Sequence, residues 1–344
     1  TLSSSSAASD VYKRQVPYRL EILSCLGYNK NISLKRILSN LILSLKSFLQ
    51  LIKEINKDDI IIIPSRPVEL IFLISILKNI KKCRIILDVE DIWPDALVVN
   101  NKILKYLFKI YCDFYLYKSI KYYDRFLTIS PSYHKWIKRY NGNKNISFIP
   151  LGYEQNRWKD IKEISLQSEK KINFVLVAVL QFQIDVAPFI EAIANNEDYH
   201  LYIIGEDGKG QRYEEIITLI ETKGIRNVTF IGRVDPAEMQ DHLNKMDIGI
   251  SPIISPLLPN KFFDYLGACL PIFNIDNEDM EQLVIEYKFG WSCSNNPLSI
   301  KKVLNKLNSK AIQSIKSNIL SNRSEFERNN INKQIIASIL KKTD

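Results

Sequence analysis

Residues 255–272 contain the side chains best suited to hold a phosphorylated ligand. Pro259 ends a loop, Asn260 is the predicted N-cap, and the pattern predicts a helix that begins at Lys261. The free backbone N–H groups of a helix N-terminus favour a diphosphate, and Lys261 would add a full positive charge. Asp264, one turn further on, could accept hydrogen bonds from a ribose diol. The residues alone leave a second interpretation open, a surface helix in which Lys261 and Asp264 form an i,i+3 ion pair.

An acidic run, Asp88-Val-Glu-Asp-Ile-Trp-Pro-Asp95, follows a predicted strand in the first half of the chain. Because ligands of parallel sheets bind beyond the carboxyl ends of the strands, we expect Glu90 and Asp91 to face a ligand cleft. The other interpretation is that the acids of this run are simply solvated residues of a turn.

The loop Gly205-Glu206-Asp207-Gly208-Lys209-Gly210 lies between a predicted strand and a predicted helix. It matches neither the G-x-G-x-x-G nor the P-loop pattern, so it is more typical of a plain turn than of a phosphate cradle.

The five Cys include no Cys-x-x-Cys pair, and the chain has only three His. This argues against a haem attachment site, a zinc site built on Cys pairs and a disulfide framework, and it indicates a reducing compartment.

A predicted helix over residues 102–122 interleaves lysines with aromatic residues. The lysines are Lys102, Lys105, Lys109, Lys118 and Lys121, and the aromatic residues are Tyr106, Phe108, Tyr111, Phe114, Tyr115 and Tyr117. The mixture suits an anionic membrane surface, where each basic residue contributes about 1 kcal/mol. The other interpretation is an amphipathic helix with its aromatic residues in the core and its lysines in solvent. No RNA-binding signature accompanies the helix, so we predict no nucleic-acid partner.

The 344 residues are 46% hydrophobic and 25% charged, the balance of a globular protein. The net charge of +9 is concentrated in the first half. Residues 16–150 contain 22 Lys and Arg against 11 Asp and Glu, whereas residues 151–344 contain 23 against 26. A basic half indicates a surface that meets an anionic partner, although an AT-rich genome would produce the same excess of Lys.

Short apolar strands alternate with amphipathic helices in two halves of the chain, a pattern typical of parallel sheets covered on both faces. The charged stretch 154–171 interrupts this pattern. We predict an N-terminal Rossmann-like domain over residues 16–153, a linker over 154–171 and a C-terminal Rossmann-like domain over 172–322. Two such domains would hold a ligand in a cleft at the carboxyl edges of their strands.

Residues 1–15, TLSSSSAASDVYKRQ, lack the apolar segment of a signal peptide. Residues 5–15 resemble the in-frame translation of a sequencing adapter, so we expect residues 1–15 to be a non-native leader. On that interpretation the native chain begins near Val16, and the N-terminal domain is incomplete.

Several short segments occur in the order that family 4 glycosyltransferases show. They are Asp88–Asp95, Thr128-Ile-Ser130, Phe148-Ile-Pro-Leu-Gly152, Ile203-Ile-Gly205, Phe230-Ile-Gly-Arg-Val234, Asp247–Ser251, the Pro-x-Lys-x-x-Asp-Tyr run that ends at Tyr265, and Gly267-Ala-Cys-Leu-Pro271. The run Asp88–Asp95 is similar to the Asp-x-Trp-Pro stretch of the family's bacterial surface-polysaccharide branch. The resemblance implies the GT-B fold, with two Rossmann-like domains that face a cleft. It also implies a nucleotide-diphosphate sugar donor held mainly by the C-terminal domain, retaining transfer, no cofactor and no metal.

The resemblance assigns donor-binding roles through the family's Glu-x7-Glu motif. Asp264 matches the second acid, which binds the donor ribose, and the first acid falls at Pro256. Residues 177–186 lack the Gly and the Arg or Lys with which the family grips the diphosphate, and Gln181 and Gln183 are expected to donate weaker, neutral hydrogen bonds instead. The other predicted donor-site residues are Lys261 for the phosphates, Asn260, Arg233 and Gly205, and Lys209 is a further cation near the site.

Catalytic roles are implied for two acids of the N-terminal half. Glu90 stands where many members carry a His near the reacting sugar, so it is expected to stabilise positive charge at the anomeric carbon. Asp91 is expected to orient the acceptor hydroxyl. In a retaining front-face mechanism the leaving diphosphate accepts the acceptor's proton, so no dedicated base is predicted.

The resulting prediction is a retaining glycosyltransferase of surface-polysaccharide assembly, such as lipopolysaccharide or capsule, that transfers a sugar to a lipid-linked saccharide acceptor. We expect a cytoplasmic protein attached peripherally to the inner face of the membrane through helix 102–122. The C-terminal helix, residues 323–344, is expected to pack back toward the N-terminal domain. Two alternatives stay open. A sugar-nucleotide epimerase of the same fold would release an altered nucleotide sugar without any acceptor, and a non-catalytic partner subunit would have no nucleotide affinity.

Overall fold

The computed structural model describes residues 19–28, 33–96, 101–142, 145–158, 171–180, 183–205, 210–254 and 257–341. These residues form two compact units. Of the described residues, unit 1 contains those up to Thr128 together with Tyr133–Ser147, and unit 2 contains Ile129–Ser132 and those from Phe148 onward. The predicted leader, residues 1–15, lies outside the described residues.

Unit 1 is built on a four-stranded sheet. Its strands are β1 (Ile60–Pro64), β2 (Arg84–Val89), β3 (Arg125–Thr128) and β4 (Ile146–Phe148), in that order across the sheet. β1 pairs with β2, and β2 pairs with β3, in parallel. The isoleucine-rich sequences of β1 and β2 favour strands because β-branched side chains pack well on a pleated surface.

The helices of unit 1 are α1 (Leu34–Glu54), α2 (Val68–Lys81), α3 (Lys102–Ser119) and α4 (Tyr133–Arg139). The side chains of Ser33 and Asn101 cap α1 and α3, because each accepts a hydrogen bond from a backbone N–H of the first turn. α2 packs against both α1 and α3 and buries most of its apolar residues, whereas α1 and α3 leave many exposed. Among the described helices, none combines the length and the apolar character that crossing a membrane requires.

Unit 2 is built on a six-stranded parallel sheet. Its strands are β5 (Ile172–Val177), β6 (Tyr199–Ile204), β7 (Val228–Gly232), β8 (Ile248–Pro252), β9 (Ile272–Ile275) and β10 (Gly290–Cys293). Their order across the sheet is β10-β9-β8-β5-β6-β7. β6 and β7 therefore follow β5 on one side of the sheet. β8 lies on the other side of β5, and β9 and β10 follow it toward that edge. This reversal is a topological switch point, beyond whose carboxyl edge ligands of such sheets bind.

The helices of unit 2 are α5 (Ala187–Ile193), α6 (Gln211–Thr222), α7 (Met239–Leu243), α8 (Asn260–Gly267), α9 (Glu278–Glu286), α10 (Pro297–Leu304), α11 (Ser309–Asn322) and α12 (Arg328–Leu340). The core consists of two clusters of buried residues. One cluster contains Phe174, Phe189 and Phe273, and the other contains Phe262 and Tyr265. Full burial contributes about 1.5–3 kcal/mol for each large apolar side chain.

The predicted α/β fold with two sheet-based units is confirmed. The strand predicted over residues 172–180 is shorter, because it ends at Val177 and residues 178–180 begin a loop. The start of the C-terminal helix is tied to unit 2, where Arg328 N donates to Tyr153 O at 2.8 Å. The domain boundaries and the packing of residues 323–344 stay predictions.

Candidate functional site

The loops that follow β5 and β8 lie side by side at the switch point of unit 2. Ile184 and Ile253 form an antiparallel bridge, and Ile254 N donates to Gln183 O at 3.1 Å. The backbone of Gln183 is therefore fixed at the carboxyl edge of the sheet, where the sequence predicted a donor contact. Three further residues singled out from the sequence lie outside the described residues: Gln181, Lys209 and Pro256.

Gly205 lies where the end of β6 meets the first residue after β5. A Cβ at this position would lie 1.9 Å from the carbonyl oxygen of Ala178, so no larger residue fits without a backbone shift. Gly205, Gly232 and Ala178 border a narrow crevice that Leu180 and Phe230 also line. The close approach of these two chain segments thus explains why residue 205 is a glycine. A contact between Gly205 and a donor stays a prediction.

Replacing Gly205 with alanine is expected to lower the free energy of unfolding by about 1–3 kcal/mol, the usual cost of forcing extra atoms into a packed site. Denaturant unfolding would measure the loss. Gly210→Ala is the matched control, because a Cβ at Gly210 meets no atom within 4 Å. Equal stability of the two variants would contradict this explanation of the glycine.

Helix α8 begins after the loop that leaves β8. The predicted N-cap is wrong, because Pro259 occupies that position without a side-chain hydrogen bond, and Asn260 is the first helical residue. Asn260 is exposed, whereas Phe262, Phe263 and other apolar residues of the helix are buried. The apolar face therefore fixes the helix on unit 2 and leaves its polar face beside the carboxyl edge.

Tyr265 fixes α8 to the two strands of the switch point. Its hydroxyl accepts a hydrogen bond from Val177 N at 3.0 Å and lies 3.1 Å from Ile250 O and 3.2 Å from Val175 O. Gly249 makes room for the ring, since a Cβ there would lie 2.6 Å from it. The polar residues of α8 are thus carried by a helix that is hydrogen-bonded to β5 and β8.

Lys261 and Asp264 are half-buried charges of opposite sign on α8. Burial lowers the pKa of Lys261 to about 8, and the charge of Asp264 partly opposes this change. Burial also raises the pKa of Asp264, which the charges of Arg157 and Lys261 partly offset. In the part of the chain that the structure describes, Lys261 has no ion-pair partner within 4.0 Å, so the i,i+3 pair considered from the sequence does not form.

Arg157 is a site residue that the sequence analysis missed. Its Nη1 lies 3.8 Å from Asp264 Oδ1, and its guanidinium lies over the ring of Trp158, 5.6 Å from the centroid. Trp158 in turn packs against Gly267 at the end of α8, where a Cβ would lie 2.5 Å from the indole. Arg157 fell within the predicted linker, and no local pattern relates it to Asp264.

Arg233 follows β7 and is exposed. It lies at the carboxyl end of its strand, as Gly205 does on the neighbouring β6 and as α8 does after β8. All the predicted donor-site residues that the structure describes therefore belong to segments that follow the carboxyl ends of strands in one sheet. Their contacts with a donor stay predictions.

A more open groove of about 330 Å³ lies at the opposite, amino edge of the same sheet. Asn227 lines this groove, but its side-chain amide is already hydrogen-bonded within the protein. Its Nδ2 donates to the carbonyl oxygens of Ile193, Asn196 and Tyr199. The rest of the lining is exposed, and the groove lies away from the switch point. Its volume alone therefore does not make this groove a better candidate for the functional site than the switch point.

The acids predicted in unit 1 differ from one another in their surroundings. Burial, followed by the charge of Glu90, raises the pKa of Asp88 to about 6. Asp91 is fixed, with its Oδ2 3.0 Å from Arg66 Nη1 and its backbone carbonyl accepting from the Ser65 hydroxyl at 2.7 Å. Glu90 is exposed. The interpretation as solvated turn residues therefore suits Glu90 better than Asp88 or Asp91.

The family model described as Glycosyl transferases group 1 matches residues 157–325. These residues include α8 and all of unit 2 that surrounds the switch point. Among proteins with curated functions, none matches the chain in sequence.

Several solved structures are similar to this chain. HepE from Anabaena in complex with UDP is 14% identical over 89% of this chain and 83% of its own, with a TM-score of 0.67. The lipopolysaccharide outer core galactosyltransferase WaaB in its apo form is 18% identical over 90% and 82%, with a TM-score of 0.62. Sucrose-phosphate synthase from Thermosynechococcus elongatus is 10% identical over 87% and 77%, with a TM-score of 0.69. At such identities the likeness concerns the fold, and it confirms the predicted GT-B fold.

Proposed function

We propose that this chain, whose residues 157–325 match the family model of the group 1 glycosyl transferases, transfers a sugar from a nucleoside-diphosphate donor bound at α8. The family match confirms the predicted glycosyltransferase. The observation that carries the proposed donor site is the pair of half-buried, unlike charges, Lys261 and Asp264, on a helix that begins beside the switch point of a parallel sheet. A donor with anionic phosphates and a neutral ribose diol suits that pair.

Each charge has a distinct part in the proposed donor site. Lys261 and the N–H groups of the first turn of α8 bind the diphosphate. Asp264 accepts hydrogen bonds from the ribose hydroxyls, and Arg157 keeps its carboxylate oriented. The Anabaena protein HepE, similar in fold, has structures in complex with UDP and with UDP-glucose, which supports a nucleotide sugar as donor.

Donor affinity is expected to fall as the pH rises through about 8. Lys261 binds the diphosphate in its protonated form, and its pKa of about 8 in the folded chain makes that form scarce at pH 9. Titration calorimetry with UDP, GDP and ADP at pH 7, 8 and 9 would measure the effect. Lys261→Arg stays charged over this range and should lose the pH dependence. Wild-type affinity that is constant from pH 7 to 9 would contradict the role of Lys261.

In the proposed transfer the sugar keeps its anomeric configuration. Two acids of unit 1 take part, Asp91 at the acceptor and Glu90 at the sugar. The bond from the anomeric carbon to the diphosphate breaks, and the acceptor oxygen bonds to the same face of that carbon. The acceptor's proton passes to the leaving phosphate oxygen. Asp91, fixed by Arg66, orients the acceptor hydroxyl, and exposed Glu90 stabilises the positive charge that develops at the anomeric carbon.

An apolar stripe on the outer face of α3 supports a membrane-bound acceptor. The stripe consists of Ile103, Leu107, Ile110, Phe114 and Tyr117, which are 47–73% exposed. Their i, i+4, i+7, i+11, i+14 spacing places them on one side of the helix. The inner side carries Phe108 and Tyr115, which pack edge-on against Trp93 and Phe72. The inner face therefore suits the core interpretation of this helix, and the exposed outer face supports the proposed membrane contact.

Lysines flank the apolar stripe on both sides. At about 100° per residue, Lys102 and Lys109 lie roughly 80–100° to one side of Ile110, and Lys118 lies roughly 80° to the other. A helix that rests in the membrane plane needs such lysines at the level of anionic headgroups. We therefore assign the acceptor to a lipid-linked saccharide of surface-polysaccharide assembly at the cytoplasmic face of the membrane. WaaB, named as a lipopolysaccharide galactosyltransferase, supports this assignment.

A further inference from the structure

Asp279, the second residue of α9, is a buried carboxylate that the proposed donor site does not use. It is 4% exposed and accepts hydrogen bonds from Ser132 N at 2.9 Å, from Ser132 Oγ at 2.6 Å and from Ser130 Oγ. No Lys or Arg of the described residues pairs with it within 4.0 Å. Since burial of a carboxylate is costly, these three donors and the N-terminus of α9 must supply the compensation.

Ser130 extends this contact to the loop that precedes α8. Its hydroxyl donates to Asp279, and its oxygen accepts a hydrogen bond from Leu258 N at 2.9 Å. A serine hydroxyl has one hydrogen, so donating it to Asp279 leaves the lone pairs for Leu258. Ser130 and Leu258 are both buried, so water does not compete for this arrangement.

Asn277 holds the same peptide unit from its other end. Its Nδ2 donates to Leu257 O at 2.9 Å, while its Oδ1 caps α9 by accepting from Met280 N at 2.9 Å. The carbonyl of Leu257 and the N–H of Leu258 belong to one peptide group, which is thus fixed by two side chains. That peptide lies two residues before the first residue of α8.

We infer that Asn277, and Asp279 acting through Ser130, are positioning residues for donor binding. They fix the entry of the chain into α8, and Tyr265 fixes its later part, so that together they orient Lys261 and Asp264. This inference rests on the proposed function of α8 as the donor site. Loss of either side chain's hydrogen bond leaves a buried peptide group unsatisfied and lets the first turn of α8 shift.

Matched serine variants test the inference. Ser130→Ala removes the hydrogen bond to Asp279 and the one that Ser130 accepts from Leu258 N. Ser132→Ala also removes a hydrogen bond to Asp279, but it leaves the bond between Ser130 and Leu258 intact. Titration with whichever of UDP, GDP, ADP and CMP the wild type binds best should show about ten-fold weaker binding for Ser130→Ala. The loss for Ser132→Ala should stay below about two-fold. Equal affinities of the two variants would overturn the inference.

A second variant separates positioning from stability. Asn277→Ser keeps a neutral oxygen that can cap α9, and Ser is as good an N-cap as Asn, but its side chain ends one bond short of the Nδ2 that donates to Leu257 O. It should melt close to the wild type and still bind the same nucleotide about ten-fold more weakly. Unchanged affinity in a folded Asn277→Ser would overturn the inference.

Hydrogen exchange at the Leu258 amide gives a readout that needs no ligand. Exchange should be at least ten-fold faster in Ser130→Ala than in Ser132→Ala. If the wild type binds no nucleoside diphosphate, the proposed donor site fails, and the exchange rates still decide whether Ser130 holds the loop. Equal exchange in both variants would overturn that claim. Faster exchange with unchanged nucleotide affinity would overturn the link to donor binding.

Discussion

Replacing Lys261 with methionine is expected to raise the Kd of a nucleoside diphosphate by roughly 10–150-fold, the effect of losing a charge-assisted hydrogen bond of about 1.5–3 kcal/mol. The corresponding nucleoside, which lacks phosphates, should lose little affinity. Methionine keeps the length of the side chain, and without the burial of a charge the variant should be at least as stable as the wild type. Titration calorimetry with the diphosphate and the nucleoside would separate the two contributions.

Lys245→Met is the control for nonspecific charge effects. Lys245 is an exposed lysine three residues before β8, so it lies at the amino end of the strand whose carboxyl end leads to α8. Removing the charge of Lys245 should leave both affinities unchanged. Equal weakening by Lys245→Met and Lys261→Met would mean that the net charge of unit 2, rather than Lys261, governs binding.

The triple variant Leu107→Gln/Ile110→Gln/Phe114→Gln is expected to lower the affinity for anionic vesicles by about 100-fold or more. These side chains form the middle of the exposed stripe of α3, and each would bury enough apolar surface for at least 1 kcal/mol. Sedimentation with phosphatidylglycerol vesicles, at low and at high salt, would measure the change. Because lysines flank the stripe, wild-type binding should also weaken as salt increases.

Exposed leucines of α1 provide the matched control for this surface. Leu34, Leu38 and Leu45 are 43–85% exposed in the same unit. A triple Gln variant at these positions removes a comparable apolar area but leaves α3 intact. Vesicle binding that depends equally on α1 and α3, or that does not occur in the wild type, would contradict the assignment of α3 as the membrane contact.

Local sequence patterns were sufficient to predict most elements of the fold. The apolar runs of β1 and β2 and the helix that contains Asp264 each follow from neighbouring residues, because periodicity and turn residues act over short distances. The start of α8 was misplaced by one residue, since Pro259 and Asn260 both suit a helix entry. A pattern of residue types indicates such an entry but does not decide which of two adjacent residues begins the helix.

Contacts between distant parts of the chain could not be predicted in this way. The ion pair of Arg157 with Asp264 depends on how Trp158 packs on Gly267, and the network of Asp279 depends on Ser130. No periodic pattern connects these residues, because tertiary packing alone brings them together. The resemblance to a known family located Asp264 and Lys261, but it left Arg157 and Asp279 without a role.

The proposed donor site at α8 is tested most directly by a thermal-shift screen of the wild type and Asp264→Ala with UDP, GDP, ADP and CMP. A ligand at a hundred times its Kd stabilises the folded chain by roughly 2.7 kcal/mol. One nucleoside diphosphate should raise the Tm of the wild type, and Asp264→Ala should abolish the shift. A chain that melts cooperatively and shifts with none of these ligands, or shifts equally without Asp264, would contradict a donor site at α8.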